Sequence, residues 1–382
     1  MPSPKSPSAR LLRRRALGPL ALAALAPRLT AAQAVGDIVI GQSAPLAGPL
    51  GQMFRSVQAG QQLALDEAAA QGGIDGRALK LVALDDGFDP RRTADNVRAL
   101  VEEQGAIGIF GLVGTEQTAA ALGWLSPKRV PLIASYTGSP SLRGEKFPLH
   151  FTTQASYIDE LRTTVRHLVT VQQTQVGVIY SDDAFGNGML PVLQQALPAA
   201  GATLVGSHSM EPAGGNVAQA AKALAADEPN AVIILAAGPV VVPCVKALRA
   251  ATAAPLYTIS LAVAASTVRA LGDEARGLSI SRVTPYPWNP RTPLAKRYNA
   301  LMQAAGKPVD YDHFIGYINA RVLLEGLRAA GRDFTPAGLA RGMQRLGRLD
   351  LGGYVLAFSP TQSNGSRFVD IVMLTRDGKY VR

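Results

Sequence analysis

Short apolar runs of strand length alternate with helical patterns along most of this chain. Ile38–Ser43 has a buried-strand pattern, and Phe54–Gln71 places Val57, Leu63, Leu65 and Ala68 at helical spacing. Gly72-Gly73 follow, where glycine takes a left-handed cap. A strand is expected over Leu79–Leu84. The turn Asp85-Asp86-Gly87-Phe88-Asp89-Pro90 then offers an N-cap and a proline at the first position of a helix running to about Gln104. Next come a strand at Ile107–Phe110, a helix from about Thr118 to Leu125, and a strand at Val130–Ala134. Buried strands linked by helices predict a parallel, doubly wound sheet with right-handed crossovers.

His150–Thr153 reads as a connecting strand, after which the alternation starts again. Strands are expected at Val176–Tyr180, Ala202–Ser207, Ala231–Ala236, Leu256–Ser260 and Leu278–Ser281, with helices between them. The pattern therefore predicts an α/β protein with two Rossmann-like lobes. Thr284–Pro290 is a proline-dense break. Helices follow near Leu294–Ala305, Asp312–Ala330 and Thr335–Leu346, too few elements for a third domain. These helices are expected to cover the first lobe. A tail hairpin, Gly353–Phe358 with Phe368–Leu374, is expected to join the second. Chain crossings near Thr152, Pro285 and Leu351 would form a hinge. The first lobe is then 37–152 plus 285–350, and the second 153–284 plus 351–382.

Composition changes this picture at the start of the chain. Residues 1–34 combine a basic head (Lys5, Arg10, Arg13, Arg14, Arg15), an apolar run at Ala16–Ala26 and a small-x-small cleavage pattern at Ala32-Gln33-Ala34. That run is too short to span a membrane, so it reads as an export signal cleaved near Ala34. Its six basic residues leave with no acid, which lowers the net charge from +10 to +4. So mild an excess, without a basic patch interleaved with aromatics, gives no case for nucleic acid. Cys244 is the only cysteine, so no disulfide closes within the chain, and it reads as a buried apolar side chain.

The candidate chemistry lies at two turns rich in small and hydroxyl-bearing residues. Gly111-Leu112-Val113-Gly114-Thr115 follows one strand, and Ser135-Tyr136-Thr137-Gly138 follows the next. Open α/β sheets bind ligands at the carboxyl ends of their strands, so Thr115 and Thr137 are expected to face one crevice beside free backbone N–H groups. The alternative is that these hydroxyls satisfy their own turns. No catalytic constellation emerges. His150, His167, His208 and His313 lack metal-ligand spacing, and there is no nucleophile elbow. Asp85-Asp86 reads as a capping turn, Gly111–Gly114 lacks the third glycine of a dinucleotide loop, and Asp182-Asp183 has too few oxygen ligands for a cation. No cofactor or metal is expected.

Several segments taken together resemble the periplasmic substrate-binding proteins of ABC importers, of the branched-chain amino acid (leucine/isoleucine/valine-binding) type. They are Ile40–Gly48, Gly72–Arg77, Asp85–Pro90, Asp182–Gly188, and Phe358-Ser359-Pro360 with Asn364-Gly365-Ser366. The resemblance implies the type I periplasmic-binding fold, a three-crossing hinge and no enzymatic activity. It also implies a periplasmic monomer that delivers a small amino acid or carboxylate to a membrane permease. By position, Thr115 takes the place of a hydroxyl that binds a ligand carboxylate. Ser135 and Thr137, flanking Tyr136, take that of a pair binding the ammonium or carboxylate, and Phe185 that of an aromatic closing from the second lobe. Gly238 stands where the family often has tyrosine, and Leu261 where amino-acid binders place a glutamate. A buried ammonium needs a counter-charge. Either Glu116 supplies it, or the ligand is a carboxylate with an apolar or aromatic body, or Glu116 is simply a solvated acid. The same resemblance allows a sensory subunit without transport. A two-lobed enzyme using the same cleft is the rival from another class.

Overall fold

The computed structural model describes residues 36–382, so the expected export signal lies outside the described residues. Five strands form the first sheet: β1 (Ile38–Ala44), β2 (Leu79–Asp85), β3 (Ile109–Phe110), β4 (Leu132–Ile133) and β5 (His150–Phe151). All are parallel, in the order β2-β1-β3-β4-β5. The connecting strand expected at His150 is thus the edge of this sheet. Helices α1 (Gly48–Ala70), α2 (Pro90–Glu102) and α3 (Thr115–Lys128) make the crossovers.

The second sheet repeats the arrangement. Strands β6 (Gln175–Ser181), β7 (Thr203–Met210), β8 (Ala231–Leu235), β9 (Leu256–Thr258) and β10 (Leu278–Arg282) are parallel in the order β7-β6-β8-β9-β10. Both sheets therefore reverse direction beside their first strand, which is where such sheets open a crevice. Helices α4 (Tyr157–Thr170), α5 (Ala184–Ala199), α6 (Val217–Ala226), α7 (Val241–Ala251) and α8 (Ala265–Leu271) flank this sheet. β8 is buried along its whole length, as a central parallel strand must be. Cys244 is buried on α7, as its composition-level reading required.

Helices α9 (Pro293–Ala304), α10 (Tyr311–Ala330) and α11 (Pro336–Arg345) return to the first core, where Tyr298, Phe314 and Leu339 pack with Ile40 and Phe110. Two glycines let α10 press onto α1. A Cβ at Gly60 would strike the His313 carbonyl, and one at Gly316 would strike that of Val57. The tail departs from the hairpin expected of it. β12 (Val355–Phe358) pairs antiparallel with β11 (Gly347–Asp350), and Phe358 packs edge-on against Phe151 in the first core. β13 (Asp370–Leu374) instead pairs with β10, and β14 (Tyr380–Val381) pairs with β13. The reason is apolar: Tyr354, Leu356 and Phe358 are buried among first-core side chains, whereas Val372 and Leu374 are buried in the second core.

Candidate functional site

Local sequence builds the two turns differently. After β3 the chain bends at Gly111 and Gly114, whose φ angles of 70° and 94° are left-handed. A Cβ on Gly111 would also lie 2.8 Å from Gln42 Nε2, so glycine serves both conformation and space there. Gly114 is the N-cap of α3 and supplies no side-chain cap. Among the described residues the N–H groups of Thr115, Glu116 and Gln117 have no protein acceptor. They form the positive end of the helix.

β4 leads into Ala134, an alanine at φ 54°. That conformation costs an L-residue about 1–2 kcal/mol and breaks the alternation of side chains beyond it. Ser135 consequently points inward. Its Oγ is 2.7 Å from His150 Nε2, and His150 Nδ1 is 2.7 Å from the Leu142 carbonyl. A carbonyl only accepts, so Nδ1 carries the proton and Nε2 accepts from the serine hydroxyl. Burial pushes the His150 pKa down to about 4. The Ser135 hydroxyl is therefore turned away from the expected crevice and spent in the interior.

Thr137 faces the other way. Its Oγ1 lies 2.8 Å from Thr115 Oγ1 and accepts the Ser139 N–H at 3.2 Å. The two threonines expected to share a crevice are thus in contact. Thr137 is 2% exposed and Thr115 is half-buried, so Thr115 is the outer member. Tyr136, between the two polar residues, packs edge-on against Phe54 and accepts a hydrogen bond from the Gln61 amide at 3.4 Å. Burial raises its phenol pKa.

Gly138 joins this turn to the second lobe. Its carbonyl accepts the Tyr157 N–H at 2.9 Å, and the Tyr157 ring occupies the space a side chain would need. Phe185 stands edge-on to Tyr157, with centroids 5.2 Å apart. Asp183 fixes Phe185 by capping α5, accepting from the N–H groups of Phe185 and Gly186. A continuous path therefore runs from Thr115 through Thr137, Gly138 and Tyr157 to Phe185.

The other expected residues are not drawn into it. Glu116 is exposed in the first turn of α3. Gly238, at φ 72°, is exposed after β8, and Leu261 is exposed in the turn Ser260–Ala262 after β9. Among the described residues neither hydrogen-bonds to Thr115 or Thr137. Behind Leu261 lies a carboxylate from another element. Glu160 of α4, 1% exposed, accepts from the Ser260 N–H at 2.8 Å, the Ser260 hydroxyl at 3.0 Å and the Ser281 hydroxyl at 2.6 Å. Burial raises its pKa to about 7 against these bonds.

Two aromatic residues escaped the sequence reading. Tyr157 opens α4 just after its capping box, Ser156 with Asp159, and that box was the available signal. Phe88, 39% exposed at φ 64°, lies beside Gly114, and the Gln117 amide donates to its carbonyl at 2.6 Å. Phe88 therefore sits in a left-handed turn after β2, next to the start of α3. Asp85 and Asp86 serve the turn before it. Asp85 accepts the Leu46 N–H at 2.8 Å, which chiefly lowers its pKa, and Asp86 accepts from Ser43 and Thr93. No group of three His, Cys, Asp or Glu side chains among the described residues could hold a metal ion. No described helix is long and apolar enough to cross a membrane.

Comparison with known proteins bears on the family and the fold. The family profile described as periplasmic binding protein matches residues 37–379. The Leu/Ile/Val-binding protein homolog 3 of Brucella melitensis is 26% identical over 183 residues, 48% of this chain and 50% of that protein. The chain thus spans about half the length of the curated relatives it matches. The crystal structure of an extracellular ligand-binding receptor from Verminephrobacter eiseniae is 27% identical at a TM-score of 0.83, covering 91% of this chain and 100% of that one. A substrate-binding periplasmic protein from Ralstonia solanacearum is 28% identical at a TM-score of 0.81, covering 90% and 99%.

Proposed function

We propose, since this chain belongs to the periplasmic binding protein family, that it is the exported solute receptor of an ABC importer. It clasps a small carboxylate between its lobes and presents it to a membrane permease. The observation that carries this reading is the hydroxyl pair of Thr115 and Thr137 beside three unpartnered N–H groups at the start of α3. Such a cluster suits a carboxylate. Phe88, Phe185 and Leu261 would cover an apolar or aromatic body. An α-ammonium is less well served. Glu160, the acid behind Leu261, already accepts three hydrogen bonds, and Glu116 is exposed. The ligand is therefore an aliphatic or aromatic acid without an amine.

Binding favours the closed form only through contacts that the open form lacks, and Phe185 and Tyr157 supply those. The hinge follows the crossings near Thr152 and Pro285, with the third beyond Phe358 because residues 351–358 pack on the first core. The test begins with native mass spectrometry of whatever co-purifies and a thermal-shift screen of aromatic and aliphatic acids against amino acids. With a ligand found, Thr115→Ala with Thr137→Ala should weaken binding by about 30-fold, at roughly 1 kcal/mol per lost hydrogen bond. Unchanged affinity in that double variant would overturn the site.

A further inference from the structure

A second concavity lies apart from Thr115, Thr137 and Phe185, none of which line it. It measures about 500 Å³, within the size range of small-molecule sites. Its walls come from three places: the loop at Arg143 after β4, the start of α4 with Arg162, and the tail crossing that carries Asn364 and Arg367. Three guanidinium groups therefore share one cavity. Its single acidic lining residue, Asp159, is spent on the capping box of α4, where it accepts from the Ser156 N–H and hydroxyl. Arg162 and Arg367 have no carboxylate partner among the described residues. Arg143 spends both terminal nitrogens on Thr137, Thr152, Gln154 and Ala155, at 2.9 to 3.3 Å. Its remaining donor, Nε, is buried without a partner among the described residues. Uncompensated positive charge in a concave wall concentrates anions, and arginine forks match oxyanions.

We propose that this cavity is a binding site for a small multivalent oxyanion, held by Arg162 and Arg367 with the charge of Arg143 behind them. The site is spatially separate from that of the ligand at the strand tips, although Arg143 also donates to the Thr137 carbonyl. Because its walls belong to both lobes and to a crossing segment, the anion bridges them.

Calorimetric titration of the full chain with inorganic phosphate, and separately with citrate, tests this at constant ionic strength set by sodium chloride. Saturable binding of either probe is expected. Arg162→Gln with Arg367→Gln should weaken it at least tenfold, since charge-assisted bonds are lost. Both side chains are exposed, so the double variant should keep the wild-type melting temperature in chloride alone. Binding of equal affinity in the double variant, or a response to phosphate and citrate no greater than to chloride, would overturn the proposal.

Discussion

Beneath the tip of each sheet sits one buried titratable group that holds a turn from behind, and the two are opposites. Under the first sheet, His150 accepts from Ser135 and donates to the Leu142 carbonyl. Under the second, Glu160 accepts from Ser260 and Ser281. Burial drives each towards its neutral form, so the histidine pKa falls to about 4 and the glutamate pKa rises to about 7. The outward faces differ as well. The first tip shows hydroxyls and open N–H groups, whereas the second shows Gly238 and Leu261. On the function proposed above, the first half binds and the second covers.

The largest expected effect comes from removing Glu160. Glu160→Ala leaves three donors without an acceptor and should cost about 3 kcal/mol or more, a fall of roughly 4 °C in Tm. A fall of less than about 2 °C would show that the second turn does not depend on this carboxylate. The pH dependences of the two groups should have opposite signs. The Glu160 contribution is present below its ordinary value of 4.5 and lost as pH rises towards about 7. That of His150 is present above 6.5 and lost as pH falls towards about 4. Melting curves from pH 4.5 to 6.5 should therefore rise more steeply with pH in Glu160→Gln than in wild type, and less steeply in His150→Asn. Matching curves for all three proteins would break the comparison.

Ser135→Ala separates interior from crevice at the first tip. It leaves His150 Nε2 without its donor and should cost about 1–2 kcal/mol of stability, while ligand affinity stays within twofold of wild type. A large loss of affinity at unchanged stability would place the Ser135 hydroxyl back among the ligand contacts. Glu116→Gln should do least. Its exposed carboxylate near a helix start is worth less than about 0.5 kcal/mol, by chemical denaturation or ligand titration.

The two sheets and their crossover helices were legible because buried parallel strands and amphipathic helices have different periods. The match between Thr115 and Thr137 followed from the same logic, since consecutive parallel strands end side by side. Ser135 was not legible in this way. Sequence places it in the same polar turn as Thr137, two residues away, yet its hydroxyl meets His150 in the interior while that of Thr137 meets Thr115. Glu160 was equally hidden. It lies about a hundred residues from Ser260, and no local pattern announces so distant a hydrogen bond. The tail hairpin was misread because two short apolar strands in sequence look like partners, whereas burial assigns one to each core.

The helix pair pressed together at Gly60 and Gly316 sets the order in which the molecule can be assembled. The five parallel strands of the second sheet are contiguous in the chain, from Gln175 to Arg282. The first core must wait for residues made after them. As the polypeptide emerges from its amino terminus, the half that begins first cannot close until the parallel strands of the other half have been made. Until Tyr311–Ala330 arrives, one face of α1 stays uncovered, a long-range closure that folds slowly and leaves apolar surface open to other chains.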